Sequence, residues 1–301
     1  MKIHKDQAFE LRQKFSEEVA LTTKSIAITS GKGGVGKTSI SINLSYALAQ
    51  EKQKVLLIDC DFGLANVDIL LNLSVQHTLE EVIEGSLPIE KALIPSGYGF
   101  DVLPASSGIS AIADMDMHNQ KILIKELAKL QGNYDFMIFD TGAGIHKTVL
   151  RVNAAADRVI VITNPEPTAI TDAYTIIKTL RNQYKVQNFW LLPTQITAQK
   201  AEELRKLLTD VANGNGVLVD LALLGSIPVD KTVSNAIFKR LPWNLVNPNA
   251  QAVKSLNQVA KNLLQDGKME NHRASEENFS KEQTEGRYRF WKKWVQLGKG
   301  I

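Results

Sequence analysis

The chain has 301 residues, a net charge of +3 and a hydrophobic fraction of 44%, as is usual for a soluble globular protein. So small a net charge does not by itself indicate a nucleic-acid-binding protein. The single cysteine, Cys60, excludes an internal disulfide and a thiolate metal cage. The N-terminus lacks an apolar signal core, and no apolar run reaches the roughly 18–20 residues of a spanning helix. We therefore expect a cytoplasmic protein that contacts a membrane only from one side.

Short apolar runs alternate with amphipathic stretches over residues 24–265. The runs have the near-continuous β-branched character of strands buried on both faces, and they cover 25–30, 54–59, 100–104, 136–140, 158–163, 188–193 and 222–227. Helical periodicity is found over 39–50, 119–131, 168–183, 198–212 and 249–264. This alternation predicts an α/β fold with a single doubly wound, mostly parallel sheet flanked by helices, whose ligand lies at the carboxyl ends of the strands.

A glycine-rich loop lies between the first predicted strand and the first predicted helix. The stretch SGKGGVGKTS fits G-x-x-x-x-G-K-[ST], in which backbone N–H groups surround phosphate oxygens at a helix N-terminus. We expect Lys37 to reach the β- and γ-phosphates and Thr38 to be a ligand for Mg²⁺. The loop therefore predicts a nucleotide site that contains Gly31, Gly33, Gly34, Val35, Gly36, Lys37, Thr38 and Ser39.

A second lysine, Lys32, stands near the start of the same loop. The pattern K-G-G-V-G-K-T resembles the deviant Walker A loop of the MinD/ParA class of P-loop ATPases. The resemblance implies a slow, Mg²⁺-dependent ATPase in which this lysine crosses a dimer interface to phosphate on the partner's nucleotide, so that Lys32 and Lys37 are both catalytic. A cation from each partner would offset the charge of two facing triphosphates. We therefore expect ATP to hold a homodimer together.

Two carboxylates end the second predicted strand in LLIDCDFGLANVD. Asp59 and Asp61 lie two residues apart, so their side chains share one face beside the nucleotide. We expect Asp61 to orient the attacking water and Asp59 to lie near Mg²⁺, because phosphoryl transfer needs positioning more than a strong base. The segment resembles the D-x-D-x-G-x-x-N-x-D switch I of MinD-like proteins, with Gly63, Asn66 and Asp68 at the matching positions.

A third carboxylate, Asp140, ends the apolar strand FMIFD. This is the Walker B pattern, which predicts that Asp140 holds Mg²⁺ together with Thr38 and Asp59. The following T-G-A-G-I resembles switch II of the same class. Gly142 and Gly144 would allow that backbone to reorganise when the γ-phosphate leaves.

Two later loops resemble further segments of the same class, and the second of them usually flanks the base and ribose. TNPEPTAITDA resembles T-N-P-E-x-x-x-x-x-D-A and brings Asn164 to the site, and SIPVDK resembles the I-P-x-D loop, with Pro228 and Asp230. After the strand that ends in LLP, the class commonly has an Asn-Arg pair, and the amide of that Asn hydrogen-bonds to adenine. Here Thr194 and Gln195 stand instead, so Gln195 becomes the candidate for adenine and the base specificity stays open.

The first 23 residues are charged and predict a helix outside the sheet. Their segment DQAFELR resembles the D-Q-A-x-x-L-R activator motif of the FlhG family, also called YlxH or FleN. The resemblance implies that this helix stimulates GTP hydrolysis by FlhF, a signal-recognition-type GTPase. An apolar stripe at helical spacing would dock in a partner's groove or fold back on its own domain. The partner-binding candidates are Asp6, Gln7, Ala8, Leu11 and Arg12.

The C-terminal part divides into a polar and an aromatic segment. Residues 266–286 contain almost no core material and predict a flexible linker. Residues 287–301, RYRFWKKWVQLGKGI, gather apolar side chains on one half of a helix, which suits the surface of an anionic membrane. Alternatively, this helix packs on its own domain in the monomer. The membrane-binding candidates are Phe290, Trp291, Lys292, Lys293, Trp294, Val295 and Leu297.

The preferred interpretation is an ATP-dependent dimerising switch on the inner face of the cell membrane that regulates the number or placement of flagella, at the cell pole if it follows the family. Its expected partners are an FlhF-type GTPase and components of the flagellar switch or C-ring. A MinD-type division-site ATPase is the close alternative, although its chains usually begin directly at the first strand. A ParA-type partition ATPase would need basic surface away from the tail, so no sequence-specific nucleic acid is expected. Iron–sulfur reductase relatives are excluded by the single cysteine.

Overall fold

The computed structural model describes residues 23–61, 66–77, 79–104, 117–130 and 132–274, together with positions 290, 293, 294 and 297. The strands are β1 (Lys24–Ser30), β2 (Val55–Cys60), β3 (Ile94–Pro95), β4 (Asp101–Leu103), β5 (Phe136–Ala143), β6 (Arg158–Thr163), β7 (Asn188–Pro193) and β8 (Asp220–Leu223). The helices are α1 (Lys37–Gln50), α2 (Val67–Leu71), α3 (Leu79–Ile83), α4 (Met117–Leu130), α5 (Lys147–Ala155), α6 (Pro167–Tyr184), α7 (Ala198–Gly214), α8 (Lys231–Lys239), α9 (Trp243–Val246) and α10 (Gln251–Ala274). A 3₁₀ turn covers Ile89–Lys91.

Within the described residues, the strands form one sheet of eight in the order β3-β4-β2-β5-β1-β6-β7-β8. Each neighbouring pair is parallel except β3 and β4, which are antiparallel. The doubly wound, mostly parallel sheet that the sequence predicts is therefore confirmed. The order places β1 at the centre, so the loop that follows it opens at the middle of the carboxyl edge, where an open α/β sheet binds its ligands.

Both faces of the sheet are covered, as the unbroken apolar strands predict. Ile26 and Ile28 of β1 belong to a core shared with α1 and α10, whereas Ala27 between them belongs to a second core on the other face. Helix α1 buries even its serines, because Ser41 and Ser45 donate hydrogen bonds to carbonyls one turn earlier, at 3.0 and 2.8 Å. Such pairing removes the penalty of burying a hydroxyl.

The ends of the last strand and of the last long helix differ from those that the sequence predicts. The last strand ends at Leu223 rather than continuing to residue 227, and the chain rejoins the sheet only at Ile227, which forms a single bridge with Thr194. Helix α10 runs through Ala274, past the linker boundary expected at residue 266, and residues 275–286 lie outside the described part of the chain. None of the described helices combines the length and apolar character that a transmembrane span requires.

Candidate active site

The glycine-rich loop, residues 31–36, joins the end of β1 to the start of α1. Gly36 has φ 101°, a left-handed conformation that glycine adopts without strain. Gly31 has a different constraint, because a Cβ atom there would lie 2.2 Å from the backbone oxygen of Asp172 on α6. The loop therefore passes so close to α6 that only a residue without a side chain fits.

Lys37 is the first residue of α1, and its side chain is buried. Burial lowers the pKa of Lys37, while the nearby carboxylates of Asp140 and Asp61 oppose that shift. A buried ammonium group costs free energy unless negative charge faces it. Two carboxylates supply that charge here, and the adjoining helix N-terminus adds an anion-binding end to the same place.

Asp140 lies directly opposite Asp59 in the register of β5 and β2. Its Oδ1 accepts a hydrogen bond from Ser41 Oγ at 2.7 Å, and the Thr38 hydroxyl lies close to the same carboxylate. Burial raises the pKa of Asp140 to about 7, and Asp59 raises it further, whereas Thr38, Ser41 and Lys37 oppose the shift. Its Oδ2 is buried without a hydrogen-bond partner in the described structure.

Asp59, the first residue of the segment that resembles switch I, holds later parts of that segment by hydrogen bonds. Its Oδ1 accepts a hydrogen bond from the N–H of Asp61 at 3.0 Å, and its Oδ2 accepts from Asn66 and Val67, each at 3.2 Å. Burial raises the pKa of Asp59 to about 6 although these three N–H groups oppose the shift. Asp59 thus anchors the N-terminus of α2 from inside the site.

These oxygen donors fit a magnesium ion. Asp140 presents a buried oxygen without a hydrogen-bond partner in the described structure, Thr38 is next to it, and Asp59 lies beside it on the neighbouring strand. Hard oxygen ligands, including carboxylates, are those that Mg²⁺ prefers. A divalent cation would also remove the cost of holding two carboxylates together in a buried site.

Asp61 lies against the segment that resembles switch II. A Cβ atom on Gly142 would come within 3.2 Å of Asp61 Oδ1, and Gly144 donates its N–H to the carbonyl of Ser30 at 3.0 Å. The residue expected to orient water is therefore in contact with the loop expected to move. The structure brings Asp59, Asp61, Asp140, Lys37 and Thr38 into one cluster.

Lys32 forms contacts within its own chain. Its Nζ makes an ion pair with Glu166 Oε2 and donates to Thr168 Oγ1 at 3.0 Å. Glu166 precedes α6 and is positioned by Asn164, whose Nδ2 donates to Glu166 Oε1 at 3.1 Å and whose Oδ1 accepts the Glu166 N–H at 3.2 Å. The hydrogen bond from Lys32 lowers the pKa of Glu166.

Comparisons with known proteins agree with this geometry. A model of the AAA domain family matches residues 23–192. The antiactivator FleN of Pseudomonas aeruginosa is 36% identical, with 79% of this chain and 85% of the relative covered, and the flagellum site-determining protein YlxH of Helicobacter pylori is 32% identical, with 79% and 81% covered. The chain belongs to the FlhG branch of the MinD/ParA family of P-loop ATPases. The MinD cell division protein of Aquifex aeolicus has the same fold, with a TM-score of 0.62, 27% identity, and 80% of this chain and 97% of that chain covered.

The base side of this MinD/ParA-family site departs from the family pattern. Thr194 Oγ1 donates to the carbonyl of Val35 in the phosphate loop at 3.1 Å, so Thr194 supports the loop. Gln195 is exposed and has φ 58° at the end of β7. Asp230 accepts N–H groups from Thr232 at 2.8 Å and from the start of α10 at 3.2 Å, and these N–H groups lower its pKa. Asp230 therefore has a helix-capping role in the structure, and its contact with nucleotide stays a prediction together with those of Pro228 and Gln195.

The described residues of the C-terminal segment lie against the second core. Phe290 is 1% exposed and stacks on Phe139 of β5, with 4.2 Å between ring centroids. Trp294 is also buried, with Arg151 of α5 at 4.7 Å from its ring, and its carbonyl accepts a hydrogen bond from Arg151 at 3.3 Å. Leu297 packs at the edge of the same cluster. Trp291, Lys292 and Val295 lie outside the described residues, as does the expected N-terminal helix up to residue 22.

Sequence reasoning missed several residues of the site. Ser41 would have been found from its position one turn after Lys37, on the same face of the helix. Glu166 and Thr168 were not expected to bind Lys32, because they are more than 130 residues away in the chain. Arg151 carries no motif at all, and only the fold brings it to the C-terminal segment.

Proposed function

We propose that this MinD/ParA-family ATPase is an ATP-dependent, homodimerising switch that regulates the number or placement of flagella. The observation that carries the proposal is the second lysine of the phosphate loop, Lys32. A single chain can bind the phosphates of ATP through the loop backbone and Lys37 and does not need Lys32 for that. Flagellar regulation is supported by the likeness to proteins described as an antiactivator, FleN, and as flagellum site-determining, YlxH. The segment DQAFELR at the N-terminus supports the same branch.

ATP is the proposed substrate and Mg²⁺ the proposed cofactor. The backbone of the loop and Lys37 bind the phosphates, while Thr38 and Asp140, with Asp59 beside them, hold the metal. When bound, Mg²⁺ neutralises charge on the β- and γ-phosphate oxygens. Asp61 orients the attacking water, a role that needs position rather than basicity. Its contact with Gly142 would transmit loss of the γ-phosphate to switch II.

Dimerisation is proposed to exchange the partner of Lys32. In the single chain, Lys32 binds Glu166 and Thr168, and the two charged side chains are 36% and 56% exposed. An exposed ion pair contributes little stability, so a phosphate of the opposite subunit can replace the carboxylate at small cost. A triphosphate also carries more negative charge, which favours the exchange only when ATP is present on the partner.

Membrane association is proposed to require release of residues 287–301. Phe290 and Trp294 are buried against Phe139 and Arg151, so they are not available to lipid in this conformation. Phe139 precedes Asp140 on β5, and Arg151 lies on the helix after switch II. The C-terminal segment therefore lies against the strand that carries Asp140 and against the helix that follows switch II. Two released segments on one dimer would bind an anionic inner membrane by avidity.

Dimerisation is tested by size-exclusion chromatography coupled to light scattering, which measures the molar mass in the presence of ATP and Mg²⁺. Wild type is expected to dimerise, whereas Lys32→Ala is expected to bind nucleotide and remain monomeric. Lys293→Ala, in the C-terminal segment, is the control lysine substitution and should still dimerise. A wild-type chain that binds ATP yet stays monomeric would rule out the switch.

Membrane binding is tested by co-sedimentation with phosphatidylglycerol vesicles. We expect the protein to bind the vesicles in the presence of ATP and to bind them more weakly in the presence of ADP. Deletion of residues 287–301 should abolish binding. A deletion that leaves sedimentation unchanged would contradict the assignment of this segment.

The flagellar assignment is distinguished from MinD-type division-site positioning by a GTPase assay. The likeness to MinD of Aquifex aeolicus keeps the second function open. A peptide of residues 2–23 is expected to accelerate GTP hydrolysis by FlhF of the same organism, and a peptide with Gln7→Ala should not. No acceleration by the wild-type peptide would favour the MinD-type function. The same proposal includes binding to components of the flagellar switch or C-ring.

A further inference from the structure

Trp243 connects the part of the chain after α8 to the helix that follows the phosphate loop. It is the first residue of α9, and Pro242 precedes it as the N-cap. Its side chain is buried in the core that α1 and α10 share. The indole N–H of a buried tryptophan needs an acceptor, because the ring has no acceptor atom of its own and can only donate.

Ser39 of α1 provides that acceptor. Trp243 Nε1 donates to Ser39 Oγ at 3.1 Å. Ser39 lies two residues after Lys37, in the first turn of the helix, and is 8% exposed. The first turn of a helix is its anion-binding end. The indole therefore contacts a residue that the phosphate loop places beside the expected triphosphate.

Asn43 holds both partners of this hydrogen bond from the next turn of α1. Its Oδ1 accepts the backbone N–H of Trp243 at 2.7 Å, and its Nδ2 donates to the carbonyl of Ser39 at 2.7 Å. Asn43 is buried as well. Three connected hydrogen bonds in a buried place fix the indole relative to the first turn of α1 more strictly than packing alone would.

The hydroxyl of Ser39 still has a proton to donate. Because the indole N–H can only donate, Ser39 Oγ is the acceptor in that bond and its own proton points elsewhere. Within the described part of the chain no acceptor is found for this proton, whereas Ser41 and Ser45 of the same helix donate to carbonyls one turn earlier. A buried donor without an acceptor costs free energy. A phosphate oxygen at this end of the helix would remove that cost.

We propose that Trp243 is a positioning residue for ATP, which holds Ser39 so that its hydroxyl donates to a phosphate oxygen of the nucleotide. The inference rests on the proposed binding of ATP at the phosphate loop. It adds a residue that no sequence motif of the site contains and that acts only through Ser39. Since the indole leaves the hydroxyl the role of donor alone, the side chain is prepared before ATP arrives.

The test measures the affinity of the full chain for a fluorescent ATP analogue with Mg²⁺, at a temperature well below every unfolding midpoint. Trp243→Phe keeps an aromatic ring but lacks the N–H, and it is expected to weaken binding about three- to tenfold. Ser39→Ala should weaken binding about tenfold or more, because a bond to a charged oxygen is lost. In ATP hydrolysis, Trp243→Phe should raise KM by the same factor and leave kcat unchanged. Trp190→Phe, at a partly buried tryptophan of β7, is the matched control and should resemble wild type.

The double variant of Trp243→Phe and Ser39→Ala separates positioning from support of the fold. It should bind ATP as weakly as Ser39→Ala alone, because the indole acts through a hydroxyl that is already absent. Losses that multiply in the double variant would overturn the proposal, since the indole would then act by packing. Tighter binding by the double variant than by Ser39→Ala would also overturn it, because the buried indole N–H left without an acceptor would then explain the loss in Ser39→Ala.

Two further results would overturn the inference while the proposed function stands. One is wild-type affinity in Trp243→Phe. The other is wild-type affinity in Ser39→Ala, which would assign the hydroxyl proton to a water in the hollow of about 10 Å³ that Ser39 and Trp243 line, a volume close to the minimum for one water. A wild-type chain that does not bind ATP would instead overturn the proposed function, and this inference with it.

Discussion

The nucleotide site has a centre, Asp59 and Asp140, and a rim, Lys32 and Glu166, and the two differ in how far their charged groups are buried. At the centre, Asp59 and Asp140 are fully buried and lie side by side on the neighbouring strands β2 and β5. At the rim, the Lys32–Glu166 pair is substantially exposed to water. Buried charges are costly unless a counter-charge arrives, whereas an exposed pair loses little when it separates. The centre is therefore suited to retain a cation, and the rim is suited to change partners.

Asp140→Asn should have the largest effect, because it removes the buried charge at the centre. Burial raises the pKa of Asp140 to about 7, so the folded metal-free protein keeps a proton that the unfolded chain releases above about pH 4. Stability should therefore fall as the pH rises from about 4 through 7. The variant should be more stable than wild type at pH 8 by about 2–4 kcal/mol, with the difference shrinking towards pH 4.

Urea unfolding at pH 4, 6 and 8 in the presence of a chelator measures this effect. Asp220→Asn, at an exposed position in β8, is the control and should follow the wild-type curve. Saturating Mg²⁺ should narrow the gap at pH 8, because the metal replaces the missing counter-charge. If the difference in unfolding free energy between wild type and Asp140→Asn does not change with pH, another group must compensate the charge of the buried carboxylate.

Gly31→Ala should have the next largest effect, since it forces apart the loop and α6. Its Cβ would collide with the backbone of Asp172, whereas a Cβ on Gly33 meets no atom within 4 Å. We expect Gly31→Ala to lose about 1–3 kcal/mol of unfolding free energy and about 10- to 100-fold in ATP affinity as phosphate contacts are lost. Gly33→Ala is the matched variant and should lose far less. Titration with a fluorescent ATP analogue compares them, and equal losses would show that the close approach is not what matters.

Glu166→Gln should have the smallest effect and probes the rim alone. Removing the carboxylate frees Lys32 and should tighten the ATP-bound dimer about two- to fivefold, in line with the modest strength of an exposed ion pair. Glu202→Gln breaks another exposed pair, with Arg205 on α7, and should leave the dimer unchanged. Sedimentation velocity with a slowly hydrolysed ATP analogue gives the constants. A weaker dimer would instead show that Glu166 itself contacts the opposite subunit.

The centre could be predicted from sequence far better than the rim. Lys37, Thr38 and Asp140 belong to short patterns whose place between strand and helix is fixed locally, and the parallel sheet then brings strand ends together. The partner of Lys32 could not be predicted, because an exposed lysine has many possible partners and the loop before α6 is distant in sequence. The sequence pattern shows Thr194 only as a departure from the family pattern, whereas in the structure its hydroxyl donates a hydrogen bond to the carbonyl of Val35.

The C-terminal segment shows a different limit of sequence reasoning. Its aromatic and basic pattern fits a membrane surface and a protein groove equally well, since both bury one apolar face. The choice depends on Phe139 and Arg151, whose exposure cannot be read from their own sequence neighbourhood. In the structure these residues receive Phe290 and Trp294. The sequence thus identified the segment, and only the fold shows where it rests.

On strand β5, one peptide bond separates a residue of the nucleotide site from a residue that contacts the C-terminal segment. Asp140 and Phe139 are consecutive, and successive side chains of a strand project to opposite sides of the sheet. The carboxylate that would ligate the metal and the ring that packs on Phe290 thus belong to adjacent residues of one strand. A tilt or shift of β5 would move both side chains at once. A variant that repositions one of them is therefore expected to affect the other.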